Sequence, residues 1–135
     1  MPLVHHDLCF GCGQANLFGL QVELERREDG SVSGRCFVKQ DHQGPPGHAH
    51  GGIVGAALDE AMALASGEGR ESAITARFEV DLRAPAPIGA FLELEASVEP
   101  AGDRRLHGSA TARREDGTLV AEASAVLVRV EAPAA

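Results

Sequence analysis

Two adjacent acidic residues, Asp59 and Glu60, interrupt an otherwise apolar segment that runs from Ile53 to Ser66. Neighbouring positions of a helix differ by about 100° in direction, so the two carboxylates of a helical segment cannot point the same way. Because the other positions are apolar nearly all round, at least one carboxylate must lie close to apolar groups, which raises its pKa unless it is paired. Such a carboxylate is suited to acid–base or nucleophilic chemistry. The structural alternative is that the two residues mark the one solvent-exposed stripe of the helix, or that one of them forms a buried ion pair with an arginine.

Directly before this segment, His50, Gly51 and Gly52 stand where the helix must begin. The first N–H groups of a helix have no partner within it, and together with the helix dipole they can hold a carbonyl oxygen that gains negative charge. Glycine lets a ligand approach the backbone closely. Asp59 lies about two turns further on, roughly 10 Å along the axis, so a ligand crossing this end is expected to reach both. A plain tight turn is the alternative for the glycine pair.

The elements that would position these residues follow from periodicity. A helix is predicted from about Gly52 to Ser66, ended by Gly67 and Gly69, and its nearly continuous apolar surface indicates burial on most sides. Strands with a period of two are predicted over 20–25, 31–38, 74–83, 92–98, 106–113 and 119–130. The sequences Asp29-Gly30 and Asp116-Gly117 predict hairpin turns.

The predicted order is two strands, one buried helix and four more strands joined by short turns. We expect a single α+β domain over residues 1–135, with an irregular segment at 1–19 and a frayed end at 131–135. A long antiparallel sheet wrapped around one apolar helix would bury the apolar face of both, and a second subunit would cover part of the outer face and the edge strands.

Composition excludes several classes of function. A net charge of −8 and a pI of about 5.1 argue against nucleic-acid binding, which depends on neutralising phosphates with Lys and Arg. No apolar run reaches the ~18 residues of a membrane span, and residues 1–20 lack the pattern of an export signal. Three cysteines, an odd number, favour a reducing compartment over a disulfide framework, so we expect a cytoplasmic protein.

The cysteines near the start allow one further interpretation. Cys9 and Cys12, three residues apart and close to His5 and His6, could form a four-ligand zinc site. A single Cys-x-x-Cys is weak support, and histidines near a terminus are expected to be mobile. We therefore predict no metal site: small residues here would let the segment pack tightly over the domain, and Cys36 would lie in the core.

Residues 43–61, QGPPGHAHGGIVGAALDEA, closely resemble the signature of hot-dog fold thioesterases of the phenylacetate-pathway (PaaI-like) and THEM types. That signature reads G-P-P-G-x-x-H-G-G, six mostly apolar residues, then Asp. Residues 81–85 are similar to the family's strand ending in x-x-R-P, although Ala84 intervenes here, and Asp116-Gly117 is similar to its final hairpin. Residues 9–20 are similar to the opening CFGCG…N…GL of many bacterial members.

The resemblance implies a role for each matching residue. Asp59 would activate water as a base or attack the thioester carbon as a nucleophile. The backbone N–H of Gly51, helped by that of Gly52, would polarise the thioester carbonyl. His50 would orient substrate or water, and Thr75 matches a Ser/Thr that in some members assists from the neighbouring subunit.

One position departs from the family pattern. Several relatives carry Asn or Gln seven residues before the first glycine of the pair, where this chain has Gly44. Gln43 is one position away, and the Pro45-Pro46 loop could shift it into place. His42 and His48 are other candidates for this position.

The leading hypothesis is therefore an acyl-CoA thioesterase that hydrolyses a fatty- or aromatic-acyl-CoA, working as a homodimer or homotetramer. Coenzyme A would be part of the substrate, and no separate cofactor is expected. Some of the arginines could hold its phosphates. A hot-dog dehydratase is the enzymatic rival, but its Asp…His arrangement is lacking. A non-catalytic acyl-CoA-binding module is the other alternative, although binding alone does not require a buried carboxylate.

Overall fold

Two strands, one long helix and four further strands follow one another in the computed structural model, which describes residues 2–68 and 71–130. The elements are β1 (Glu23–Arg26), β2 (Val32–Phe37), α1 (Gly51–Ser66), β3 (Ile74–Leu82), β4 (Phe91–Pro100), β5 (Arg105–Arg114) and β6 (Leu119–Val128), with a short 3-10 turn at Gln40–His42. The strands form one antiparallel sheet in the order β1-β2-β4-β5-β6-β3. This is the predicted α+β hot-dog arrangement.

The helix packs on one face of this sheet because both surfaces are apolar. Leu58, Met62 and Leu64 of α1 are fully buried, and α1 contacts β2 to β6. The strands at the middle of the sheet supply mostly alanines to this face, including Ala112 of β5 and Ala121 of β6. Such small side chains allow the helix axis to lie close to the sheet, so the apolar surface of α1 is buried without large aromatic residues.

The predicted hairpins are present. Gly30 and Gly117 adopt positive φ values of 90° and 89°, a backbone conformation that glycine accepts without a steric penalty. In the first turn, the Asp29 carboxylate also accepts a 2.9 Å hydrogen bond from the backbone N–H of Ser31. These short connections keep β1–β2 and β5–β6 adjacent in the sheet.

The first strand is shorter than its alternation predicts. Leu20 and Val22 are buried, at 1 % and 0 % exposed, but the positive φ of Gln21 (52°) interrupts the extended chain between them. Their N–H groups bond instead to the carbonyls of Phe10 and Gly11. The alternation of residues 20–25 therefore predicted correctly which side chains are buried, but it was wrong about where the strand begins.

Residues 2–22 contain no helix or strand and are tied to the domain by backbone hydrogen bonds. Leu3 is buried and its N–H donates a 2.7 Å hydrogen bond to the Leu24 carbonyl of β1. Helix α1 ends before Gly67, whereas Gly69 and residues 131–135, predicted as part of the helix stop and as a frayed end, lie outside the described residues. Within the described chain, no helix combines the length and hydropathy that crossing a bilayer requires.

Candidate active site

Asp59 of α1 and Thr75 of β3 form a polar pair beside the helix. The Thr75 hydroxyl donates a 2.6 Å hydrogen bond to Oδ1 of Asp59, and both residues are half-buried. Among residues 2–68 and 71–130, no cation forms an ion pair with the Asp59 carboxylate. Thr75, expected to act from a neighbouring subunit, thus contacts the carboxylate of its own chain.

A β-bulge in β3 directs Thr75 towards the helix. The alternation of residues 74–83 places Thr75 on the same face as Arg77, away from Phe78. In the structure, the pairing with β6 shifts register between Thr75 and Arg77, so that Thr75 lies opposite buried Leu127 and Phe78 opposite buried Ala125. The extra residue therefore turns both side chains to the inner face, which is a common use of bulges beside functional sites.

The pair opens into a groove of about 710 Å³ between α1, the start of β3 and the N-terminal segment. Besides Asp59 and Thr75, the groove is lined by residues that include His5, His6, Cys9 and Ile74. This volume is within the range of small-molecule sites. The groove brings one free carboxylate oxygen next to a space large enough for a ligand.

His50 caps helix α1 rather than standing free. Its Nδ1 accepts a 2.9 Å hydrogen bond from the Gly52 N–H, and its backbone is extended, with φ −61° and ψ 137°. The Gly52 N–H is therefore already used, contrary to the expectation that it would assist Gly51. Within the described residues, no hydrogen-bond acceptor lies on the Gly51 N–H, and Gly51 is half-buried.

Gly51 lies close to the far end of β3. A Cβ built at this position would come within 2.8 Å of Cδ1 of Leu82. Strand β3 thus runs along α1 from Thr75, beside Asp59, to Leu82, beside Gly51. Asp59 lies eight positions after Gly51, so the helical rise places them about 12 Å apart along the axis.

Gln43 holds the loop before the helix. Its side-chain Oε1 accepts a 2.8 Å hydrogen bond from the Gly47 N–H, and residue 43 also forms an isolated bridge with Ala49. Gln43 is exposed. Of the alternatives considered for this position, His42 is buried and its Nε2 lies 2.9 Å from the Phe18 carbonyl oxygen.

Glu60 points away from Asp59, as adjacent helical positions must. It forms an ion pair with His5, with 2.8 Å between Oε2 and Nδ1, and the two side chains are only 11 % and 14 % exposed. Burial alone would raise the pKa of Glu60, but hydrogen bonds from His5 and Cys12 lower it. The expected rise of a carboxylate pKa is therefore not found at Glu60, because its partner is a histidine.

The described arginines of the sheet edge make exposed ion pairs. Arg83 lies 2.9 Å from Glu122 and Arg77 lies 3.2 Å from Glu79. Exposed pairs of this kind contribute little to stability. Their carboxylate partners would compete with the phosphates of a ligand.

Comparison with known proteins adds the family context. The family model described as "Thioesterase superfamily" matches residues 46–121, more than half of the 135 residues. The acyl-coenzyme A thioesterase THEM4 of Xenopus laevis is 27 % identical over 89 residues, and the acyl-coenzyme A thioesterase THEM5 of Mus musculus is 29 % identical over 90. These matches span 65 % and 66 % of this chain but only 40 % and 36 % of those proteins.

Solved structures share the fold. A crystal structure of a thioesterase superfamily protein superposes with a TM-score of 0.82 at 28 % identity, over 90 % of this chain and 60 % of the other. The PaaI protein of the E. coli phenylacetic acid degradation operon superposes with a TM-score of 0.73 at 19 % identity, over 82 % and 84 % of the two chains.

Proposed function

The chain belongs to the thioesterase superfamily, and from that premise we propose that it hydrolyses the thioester of an acyl-coenzyme A to a free acid and coenzyme A. The printed activities of the THEM4 and THEM5 relatives support this substrate class. The observation that carries the proposal is the Asp59–Thr75 pair beside the groove. It supplies a carboxylate that is oriented, partly desolvated and accessible from one side.

The hydrogen bond from Thr75 makes the two carboxylate oxygens of Asp59 different. Oδ1 is held by the Thr75 hydroxyl, which leaves Oδ2 to act on a bound molecule. As a general base, Oδ2 takes a proton from water as the water oxygen adds to the thioester carbon. The tetrahedral intermediate then expels the coenzyme A thiolate, which takes up that proton. As a nucleophile, Oδ2 attacks that carbon itself and expels the coenzyme A thiolate, and water then cleaves the mixed anhydride.

Either route needs a donor for the oxygen of the tetrahedral intermediate. The Gly51 N–H at the first turn of α1 is suited to this task because the helix dipole favours negative charge there. A reacting carbonyl must, however, lie about 3 Å from both the attacking oxygen and the donor. Because about 12 Å of helix separates Gly51 from Asp59 in one chain, a carbonyl held by the Gly51 N–H lies too far from Oδ2 of the same chain for direct attack.

A second copy of the chain removes this conflict. Strand β3 is an edge strand whose Ile74, Phe78 and Leu82 are 58 %, 42 % and 56 % exposed, although they are apolar. An exposed apolar edge favours pairing with another strand. If two β3 strands pair antiparallel about a two-fold axis, the Leu82 end of one copy faces the Thr75 end of the other. The Gly51 of one copy then approaches the Asp59 of its partner, so the proposed enzyme is a homodimer or an assembly of such dimers.

The proposal is tested by following thiol release from a panel of aryl- and fatty-acyl-CoAs, corrected for the protein's own cysteines. Asp59→Asn keeps the shape of the side chain and removes its basicity, so we expect kcat/KM to fall by about 10²–10⁴-fold. Cys36→Ser, a buried position away from the groove, serves as the matched control and should retain activity.

A well-folded Asp59→Asn protein with wild-type turnover would refute the role of Asp59. If no acyl-CoA is hydrolysed by the wild type while acyl-CoA still raises its melting temperature, the non-catalytic binding module replaces the enzyme as the better interpretation.

A further inference from the structure

A second cluster of reactive side chains surrounds Glu60 of α1, and two of its members, His5 and Cys9, also line the groove. His5, Cys9, Cys12 and Glu60 each direct one ligand atom to a common point, and these atoms all lie within 4.8 Å of one another. Cys12 is buried, and His5 and Glu60 are nearly so. Two thiols, one imidazole and one carboxylate are a donor set that suits zinc.

Three contacts within the cluster have distances close to those between ligands of one zinc ion. With ordinary zinc–ligand lengths, a tetrahedral site places sulfur about 3.6 Å from nitrogen and about 3.5 Å from a carboxylate oxygen. Nδ1 of His5 lies 3.7 Å from Sγ of Cys9 and 3.6 Å from Sγ of Cys12. Sγ of Cys9 lies 3.7 Å from each Glu60 oxygen. We infer that His5, Cys9, Cys12 and Glu60 bind one zinc ion, which fastens the N-terminal segment to helix α1.

The 2.8 Å contact between His5 and Glu60 is shorter than the distance of about 3.3 Å expected for two ligands of one zinc. A proton shared between these atoms would hold them together when no metal is bound. On binding, this proton and both thiol protons leave, and the two side chains separate by about half an ångström. Binding therefore releases protons and replaces the hydrogen bonds within the cluster by four bonds to the metal.

The surroundings orient the ligands. Nε2 of His5 lies 2.9 Å from the hydroxyl of Ser72, which directs Nδ1 into the cluster, as is usual for a metal-bound histidine. The backbone N–H of His5 donates to Sγ of Cys12 at 3.1 Å, and those of Gly11 and Cys12 donate to the sulfur of Cys9. N–H donors aimed at sulfur favour the thiolate form that a metal needs.

Glycine at position 11 is required for this approach. A Cβ built on Gly11 would lie 2.3 Å from the Glu60 carboxyl, so any other residue would push that group away from the cysteines. A plain His5–Glu60 ion pair would need neither the two thiols nor this close approach. The loop is therefore built around all four ligand atoms.

The proposal is tested on the full chain purified without a polyhistidine tag and with its thiols reduced. After dialysis against metal-free buffer, elemental analysis is expected to find about one zinc per chain. Substitution by Co²⁺ should give the visible bands of a tetrahedral ion and a sulfur-to-cobalt charge-transfer band. In Cys12→Ser the zinc content should fall far below one per chain and the charge-transfer band should weaken, while the matched Cys36→Ser should keep both.

Thermal unfolding gives a second readout. A strong chelator should lower the melting temperature of the wild type and of Cys36→Ser, and leave that of Cys12→Ser unchanged. Reduced wild-type protein that contains no zinc and shows no cobalt–thiolate band would overturn the inference, whether or not Cys12→Ser folds. A Cys9–Cys12 disulfide that persists and prevents binding after mild reduction would do the same.

Discussion

At the scale of single residues, the hydroxyl of Thr75 is the part of the candidate site that the structure defines most sharply. It donates its hydrogen bond to Oδ1 of Asp59, so Thr75 acts through that carboxylate and is a positioning residue in the proposed mechanism. A hydrogen bond to an ionised carboxylate contributes about 1.5–3 kcal/mol, provided both partners are held in place. Both partners here are half-buried and carried by regular elements, which meets that condition.

We therefore expect Thr75→Val to lower kcat by about 10–100-fold while changing KM little, because the carboxylate loses its orientation and the groove keeps its shape. Thr75→Ser, the matched control, retains the hydroxyl and should recover most of the activity. Steady-state kinetics with the best acyl-CoA of the panel measure both effects. An unchanged kcat in Thr75→Val, or an equal loss in Thr75→Ser, would contradict the positioning role.

At the scale of the elements, the start of α1 combines two tasks that sequence reasoning assigned differently. His50 was expected to orient substrate or water, whereas its Nδ1 accepts the Gly52 N–H and closes the first turn. An N-cap side chain stabilises a protein by about 0.5–2 kcal/mol. The cap leaves the Gly51 N–H directed out of the helix end, so it also fixes the geometry of the proposed oxyanion donor.

His50→Ala should therefore reduce the free energy of unfolding by about 1 kcal/mol, which corresponds to a fall in melting temperature of roughly 3–5 °C for a domain of this size. His50→Asn offers a shorter side-chain acceptor at the same place and should restore most of the stability and the activity. Thermal denaturation and thiol release give the two readouts. A stable but inactive His50→Asn protein would show instead that the imidazole itself contacts substrate.

The elements also mark where sequence reasoning is limited. The helix and its His50-Gly51-Gly52 start are local patterns, and the structure contains them at the predicted places. The face of the sheet on which Thr75 lies is not determined by the local sequence. The alternation of residues 74–83 is unbroken and gives no sign of the bulge, which exists only through the pairing of β3 with β6. Likewise, proximity in the sequence groups Cys9 and Cys12 with His5 and His6, but in the structure Glu60 and not His6 completes the cluster. Glu60 is 48 residues away from Cys12 and is placed beside it only by the packing of α1.

At the scale of the whole molecule, the six-stranded sheet has two edges, β1 and β3, and they differ in character. Strand β1 presents Glu23, Glu25 and Arg26, charged residues of the kind that discourage pairing of edges. Strand β3 also carries charged residues, which lie on its outer face. Its inner face, however, presents the exposed apolar side chains of Phe78 and Leu82 beside both halves of the proposed site. The same edge that a lone chain exposes is thus the one whose burial would bring Gly51 and Asp59 of different copies together.

This arrangement predicts that two inactive variants will complement one another. Gly51→Pro removes the proposed oxyanion donor, and proline is tolerated at the first position of a helix after an extended residue such as His50. Gly51→Ala is its matched control, because it adds a Cβ near Leu82 but keeps the N–H. We expect Gly51→Pro to lose about 10²–10³-fold in kcat and Gly51→Ala to lose much less.

The Asp59→Asn and Gly51→Pro chains are co-expressed in equal amounts with different tags and assemble at random. A shared site then has one chance in two of receiving an intact Gly51 from one chain and one chance in two of receiving an intact Asp59 from the other. The mixture should therefore recover about a quarter of the wild-type activity, concentrated in the fraction that carries both tags. If both groups acted within one chain, no assembly would contain a complete site and the doubly tagged fraction would stay inactive. Because recovery of the doubly tagged fraction itself shows that the two chains assemble, its inactivity would refute the shared site rather than the assembly.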